Sequence, residues 1–250
     1  MAADDDVADR TADERARGDD RARAAHRTTP TFKPRRRRLS PNRRADLERW
    51  LAASGLAVEG PPLVWSEVFA GVVGLGGVAL DIGFGHGETV LELARCEPTT
   101  GVIGVEVHTA GVATLLDAAD REGLSNIRAV HGDAIRFLDR VPATALARVQ
   151  VYFPDPWPKA AQQHRRFVRA DTVAALTDRL RVGGTLRLAT DDADYAEQMH
   201  ATCAAEPRLR GGVVDRPVER PLTRFERRGI LEGRAAVDLC YERTPPHQPR

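Results

Sequence analysis

The sequence predicts an α/β fold built on a doubly wound, mostly parallel sheet with a late antiparallel strand. Three observations carry this. Five short apolar runs recur, at Val78–Ile82, Val102–Glu106, Ile127–His131, Arg148–Phe153 and Thr185–Ala189. Each is nearly continuous in apolar character, as a strand covered on both faces must be. Amphipathic stretches at 87–96, 109–122, 134–140, 166–181 and 192–205 separate the runs, which is the alternation of parallel strands with crossover helices.

Residues 1–30 are rich in Ala, Asp and Arg, show no sustained apolar periodicity and are expected to be disordered. Charge is unevenly placed: residues 1–20 hold eight acids against three Arg, and residues 21–45 hold ten Lys/Arg and no acid. Such a block suits a polyanion partner, although a solvated tail has the same composition. Residues 31–60 form a basic arm and a first helix. Ser40-Pro41 opens that helix with Pro at its first position, Leu47, Trp50 and Leu51 follow at helical spacing, and Pro61-Pro62 ends it. Residues 61–250 are then one domain. Within it Val90, Leu91, Leu93 and Ala94 mark the buried face of the first crossover helix, and residues 235–242 alternate as the late strand.

The 250 residues, 42% of them hydrophobic, suffice for one core plus tails. No apolar run is long enough for a membrane helix, and the acidic start is not a secretory signal. Cys96, Cys203 and Cys240 are far apart with no CxxC pair, and His86, His108 and His131 are scattered. Neither a disulfide framework nor a metal site is indicated, and a cytoplasmic location without membrane contact is expected. Monomer and homodimer are both left open.

The first strand runs into Asp81-Ile82-Gly83-Phe84-Gly85-His86-Gly87-Glu88. Ligands of open α/β sheets bind at such strand ends. A dinucleotide loop would carry a third glycine where Glu88 stands. Alternate glycines behind an acid suit a ligand with an ammonium better than one with a pyrophosphate. The second strand ends in Glu106, suited to ribose hydroxyls. After the third strand Asp133 suits an adenine amine, or simply caps a helix. Together these acids favour S-adenosylmethionine over a nicotinamide cofactor, with Asp81, Gly83, Gly85, Glu106 and Asp133 as cofactor-binding candidates.

The fourth strand leads into Tyr152-Phe153-Pro154-Asp155-Pro156-Trp157-Pro158-Lys159. Its prolines exclude helix and central strand and hold an acid, an aromatic ring and a cation in a stiff loop. Asp155 can accept from a nucleobase, Trp157 can stack on or wall a pocket, and Lys159, one of only two lysines, can meet a phosphate. Asp191 follows the fifth strand and either contacts substrate or caps the next helix, as Asp192 equally could. Thr223-Arg224-Phe225-Glu226 mixes aromatic and basic residues in a way that suits RNA.

From about Thr31 to Arg243 the sequence resembles the bacterial tRNA (guanine-N7)-methyltransferases, which methylate guanine 46 of the variable loop. Its most specific element is Phe153–Lys159 followed by Arg165-Arg166. Asp81–Gly85, Gly104–His108, Ala189–Asp191 with Tyr195, Thr223–Gly229 and the arm Phe32–Pro41 add to it. The resemblance implies a Rossmann-like class I methyltransferase with a seven-stranded sheet, S-adenosylmethionine as methyl donor and tRNA as partner. It implies that Asp155 lines the S-adenosylmethionine site with Asp81, Glu106 and Asp133 and is also the catalytic position, and it implies Lys159, Asp191, Thr223, Arg224, Phe225 and Glu226 as substrate-binding positions. The family often has Glu in place of Asp81, and a denser basic run where Ala160–His164 stands here. Another RNA methyltransferase, a nicotinamide-dependent oxidoreductase and a non-catalytic RNA-binding protein on the same scaffold are the competing readings.

Overall fold

A computed structural model describes residues 31–32 and 39–245. The tail 1–30 and most of the basic arm, with Lys33 and Arg35–Arg38, lie outside these. Eight strands, β1 (Gly55–Leu56), β2 (Gly77–Ile82), β3 (Thr100–Glu106), β4 (Ile127–His131), β5 (Leu146–Tyr152), β6 (Leu180–Thr190), β7 (Leu209–Val214) and β8 (Val237–Arg243), form one sheet in the order β1-β4-β3-β2-β5-β6-β8-β7. Pairing is parallel from β1 to β6 and antiparallel for β6/β8 and β8/β7. The chain runs β2-β3-β4 to one side and then crosses back to β5 and β6 on the other. The carboxyl ends of β2, β3 and β5 therefore meet at the topological switch point, where such sheets bind ligands.

The helices among the described residues are α1 (Pro41–Ser54), α2 (Trp65–Val68), α3 (Glu88–Cys96), α4 (Thr109–Glu122), α5 (Ala134–Phe137), α6 (Ala170–Arg179), α7 (Ala193–Ala205) and α8 (Arg224–Leu231). Ser40 caps α1 and accepts from the Arg43 N–H, with Pro41 at the first turn. One core joins Leu80, Ile103, Val149 and Leu188 to α6 and α7 through Val173, Leu176, Tyr195 and Met199. The other joins Ala79, Val102 and Ala129 to α3 and α4, with Leu47 of α1 at its edge. Apolar strand runs are thus covered on both sides.

Several elements differ from expectation. The sheet has eight strands rather than seven because Gly55-Leu56 pairs with Ala129 and Val130 at its edge. The 235–242 run becomes Val237–Arg243, and a second antiparallel strand, β7, pairs outside it. The glycines and mostly exposed face of β7 hid it from an apolar pattern. The 134–140 helix is α5 plus a 3-10 turn at Leu138–Arg140. The 166–181 helix starts only at Ala170, because residues 166–169 belong to the proline-rich loop and Ala160–Arg165 forms a 3-10 helix of its own.

The 215–236 segment is held to the sheet by charge. Arg220 is 2% exposed. It donates to both carboxylate oxygens of Glu226 at 2.7 and 2.8 Å and to Asp238 of β8 at 2.8 Å. Its guanidinium also lies 5.6 and 5.5 Å from the ring centroids of Tyr152 and Phe153. Breaking a buried pair from one side strands the remaining charges. Arg220→Met therefore should cost about 3–5 kcal/mol, read as a lowered midpoint in urea unfolding; an unchanged midpoint would contradict this role.

Candidate active site

A cavity of about 250 Å³ opens at the switch point. Its walls come from the ends of β2 (Ile82, Gly83, Gly85), β3 (Glu106) and β4 (Asp133) and from the loop after β5 (Phe153–Asp155), with Phe225 of α8 opposite. Gly83, Gly85 and Gly87 all take positive φ, 73°, 61° and 89°. At Gly85 this turns the backbone N–H onto Glu106 Oε2 at 2.9 Å. Glu106 Oε1 accepts from the His108 N–H, also at 2.9 Å. One carboxylate so fastens the β2 loop to the β3 loop. Each oxygen has capacity left for a ligand hydroxyl, since a carboxylate offers about four acceptor sites.

Gly111, inside the expected 109–122 helix, makes this approach possible. A Cβ there would stand 2.1 Å from the Gly85 carbonyl oxygen. Glycine inside a helix costs roughly 0.5–1 kcal/mol relative to alanine. A glycine kept at that cost is the sequence signal of the close approach, one that apolar periodicity does not carry.

Asp133 is a helix cap that also borders the cavity. Its Oδ1 accepts from the Ile135 N–H at 2.8 Å as the cap of α5, and the residue also lines the cavity. Asp81 does not reach the cavity wall. It is 2% exposed and accepts from the Thr89 hydroxyl at 2.5 Å beneath the glycine loop. Burial pushes its carboxyl up to about 7, the Thr89 hydrogen bond opposes this, and the nearby Glu106 charge adds to it.

A second cleft adjoins the first. Phe153, Pro154, Asp155 and Phe225 line both, and Asp191, Asp192, Arg228, Glu232 and Arg234 line the second. Asp155 therefore stands on the boundary between them. The loop that carries it takes positive φ at Phe153 (52°) and Trp157 (44°), backbone that L residues adopt only when their surroundings hold it. Phe153 N–H donates to Ala189 O at 2.7 Å. Arg166, 2% exposed, donates to Pro156 O at 2.7 Å, Gln198 at 2.5 Å and Asp194 at 2.5 Å.

Several side chains stand elsewhere than expected. Trp157 does not wall the cavity: it is 4% exposed, donates through Nε1 to Thr31 O at 3.1 Å, and is covered by Arg165 at 3.7 Å. Its work is to anchor Thr31-Phe32, which do line the cavity. Glu226 presents no carboxylate to either cleft, because Arg220 holds both oxygens. Thr223 caps α8, accepting from the Glu226 N–H at 3.2 Å. These two residues set the helix whose Phe225, 45% exposed, faces both clefts. Arg224 is tied by its backbone N–H to Glu88 Oε1 at 3.2 Å, so the residue in the third glycine slot links α3 to α8. Asp192, not Asp191, caps α7, accepting from the Tyr195 N–H at 2.8 Å. Asp191 is left to the second cleft, where Arg234 meets it at 2.7 Å. Lys159 is exposed and lines neither cleft.

A family model described as "Putative methyltransferase" matches residues 76–239. The tRNA (guanine-N(7)-)-methyltransferase of Acidithiobacillus ferrooxidans is 48% identical over 171 residues, 66% of this chain and 75% of its own length. That of Streptomyces avermitilis is 40% identical over 222 residues, 86% of this chain and 76% of its own. The chain belongs to the tRNA (guanine-N(7)-)-methyltransferase family. A solved antibiotic-resistance methyltransferase, Kmr, shares the fold with a TM-score of 0.50 at 18% identity, covering 78% of this chain and 99% of that one. Family membership replaces the nicotinamide-dependent reading with methyl transfer. No helix among the described residues is long and apolar enough to cross a membrane. None of their His, Cys, Asp and Glu side chains gather into a group of three that could hold a metal.

The buried Asp81 has a measurable consequence. Folded, its carboxyl keeps a proton up to about 7, whereas an unfolded aspartate releases it near 3.8. The unfolded chain is favoured as pH rises through that window, because it loses the proton first. Between about pH 4 and 8 the ligand-free protein should lose more thermal stability than Asp81→Asn does. Parallel Tm-against-pH curves for the two would contradict a buried, protonated Asp81.

Proposed function

We propose that this chain transfers the methyl group of S-adenosylmethionine to N7 of guanine 46 in the tRNA variable loop. The observation that carries this is the pair of adjoining clefts with Asp155 and Phe225 on their boundary. The first cleft fits the donor. Glu106 has acceptor capacity for a ribose diol and Asp133 Oδ2 for an adenine amine, while Ile82, Val105, Val151 and Phe167 supply apolar wall. A Cβ built on Gly83 meets nothing within 4 Å, so the strand end is left open for a ligand. Asp81, behind the loop, acts on the ammonium by charge once it gives up its proton. S-adenosylmethionine supplies an electrophilic methyl carbon on a sulfonium.

The second cleft takes the base. Guanine N7 has an in-plane lone pair and no proton, so a general base is not needed. The N7–C bond forms as the C–S bond breaks, and one positive charge moves from the first cleft to the purine in the second. Asp155 borders both clefts and stabilises that charge as it moves. Phe225 offers a face for the base, and Asp191 accepts from its donor edge. Holding donor and acceptor in line is worth up to about 7–11 kcal/mol in favourable cases, which the stiff loop and tied helices secure. Lys159 and Arg224 meet the phosphates from the rim, and Thr223 and Glu226 position Phe225.

The test is transfer from labelled S-adenosylmethionine to unmodified tRNA, with the modified base mapped. Label at N7 of guanine 46 is expected. Asp155→Ala should lower kcat by about 100-fold or more, as loss of a transition-state charge partner does, with the melting temperature nearly kept. Label on another base, or near-normal turnover in the variant, would refute the reading.

A further inference from the structure

Arg234 is absent from every motif of the sequence, yet it lines the second cleft. It follows Gly233, which takes φ 77° in the turn between α8 and β8. That turn brings the guanidinium back under α8, where Nε donates to Asp191 Oδ2 at 2.7 Å. Gly229 closes over the same oxygen: a Cβ there would stand 2.7 Å from Asp191 Oδ2. Arg234 Nη1 also bonds Glu232, and Glu232 in turn accepts from Arg228 Nε at 2.8 Å. Oδ2 of Asp191 is thus engaged by one N–H on one side and enclosed by helix backbone on the other. Oδ1 has no hydrogen bond among the described residues.

We infer that Arg234 is a positioning residue for acceptor recognition, pinning Oδ2 of Asp191 so that Oδ1 is presented to the N1–H and 2-amino edge of the target guanine. This rests on the reading of the second cleft as the base site. The contact geometry supports presentation rather than blockade. A bidentate arginine would occupy both oxygens, as Arg220 does on Glu226. Arg234 uses Nε alone on Asp191 and spends its other arm on Glu232. It is also 43% exposed at the side chain, so it is not needed to fill the core. A carboxylate free to rotate would still attract a cation but would discriminate poorly between purines. Fixed, it rewards two donors and leaves a deficit when one is missing.

The experiment is a cycle across the interface. Wild type, Arg234→Ala and Arg234→Lys are assayed on a tRNA with guanine and on one with inosine at the target position; inosine keeps N1–H and lacks the 2-amino group. Wild type should prefer guanine by about tenfold in kcat/KM, the size of one lost hydrogen bond to a charged acceptor. Arg234→Ala should lose about tenfold on guanine, chiefly through KM for tRNA, and lose much less on inosine, so that the preference collapses towards one. Arg234→Lys should restore part of the preference. S-adenosylmethionine affinity and Tm should stay unchanged in both variants. Equal losses on both acceptors would make Arg234 mere scaffolding and overturn the inference, as would unchanged kinetics. No N7 transfer by wild type to either tRNA would instead sink the base-site reading, and this inference with it.

Discussion

The buried guanidinium of Arg166 is the contact on which the site's geometry depends. The loop from Phe153 to Lys159 holds two L residues in left-handed backbone, each costing of order 1–3 kcal/mol unless its surroundings compensate. Arg166 meets that requirement from inside the protein, joining Pro156 of the loop to Gln198 and Asp194 of α7. Its face lies 4.8 Å from the Tyr195 ring centroid, and the Tyr195 hydroxyl oxygen in turn accepts from the Val168 N–H at 3.0 Å. From the other side Arg220 lies against Tyr152 and Phe153. With both ends fixed, Asp155 stays on the boundary of the two clefts without a ligand to order it.

The clefts are coupled mechanically as well as by Asp155. Glu106 ties the glycine loop to the β3 loop, Glu88 ties the helix after that loop to Arg224, and Arg220 ties α8 to β8. Phe225 therefore faces Gly85, with 3.4 Å between its ring and a Cβ built there. A ligand that shifts the glycine loop meets the helix carrying Phe225. The charged groups divide by burial: Arg166 and Arg220 are structural, whereas Arg228 and Arg224 remain at the surface.

Much of this was legible in the sequence. Continuous apolar runs gave the central strands, because a strand covered on both faces has no polar alternation to hide it. The places of Glu106, Asp133 and Asp155 on the cavity wall were legible because such sheets open their cleft at the carboxyl ends of the strands. Other features depend on partners far along the chain. Glu226 reads as a free acid until Arg220 and Asp238 fold around it. Trp157 reads as a stacking ring until Thr31 and Arg165 cover it. The choice between Asp191 and Asp192 as cap is one residue of helix register, and Asp192 takes it. Arg234 had no local signal, since its meaning comes from a turn that brings β8 back beneath α8.

The central claim is that donor and acceptor occupy separate clefts meeting at Asp155. A crystal structure with S-adenosylhomocysteine and a tRNA variable-loop fragment tests it most directly. The account predicts the nucleoside between Glu106 and Asp133, the target guanine between Phe225 and Asp191, and Asp155 within contact of both sulfur side and base. A guanine entering past Lys159 without touching Phe225 or Asp191, or a nucleoside seated in the Asp191 cleft, would contradict it.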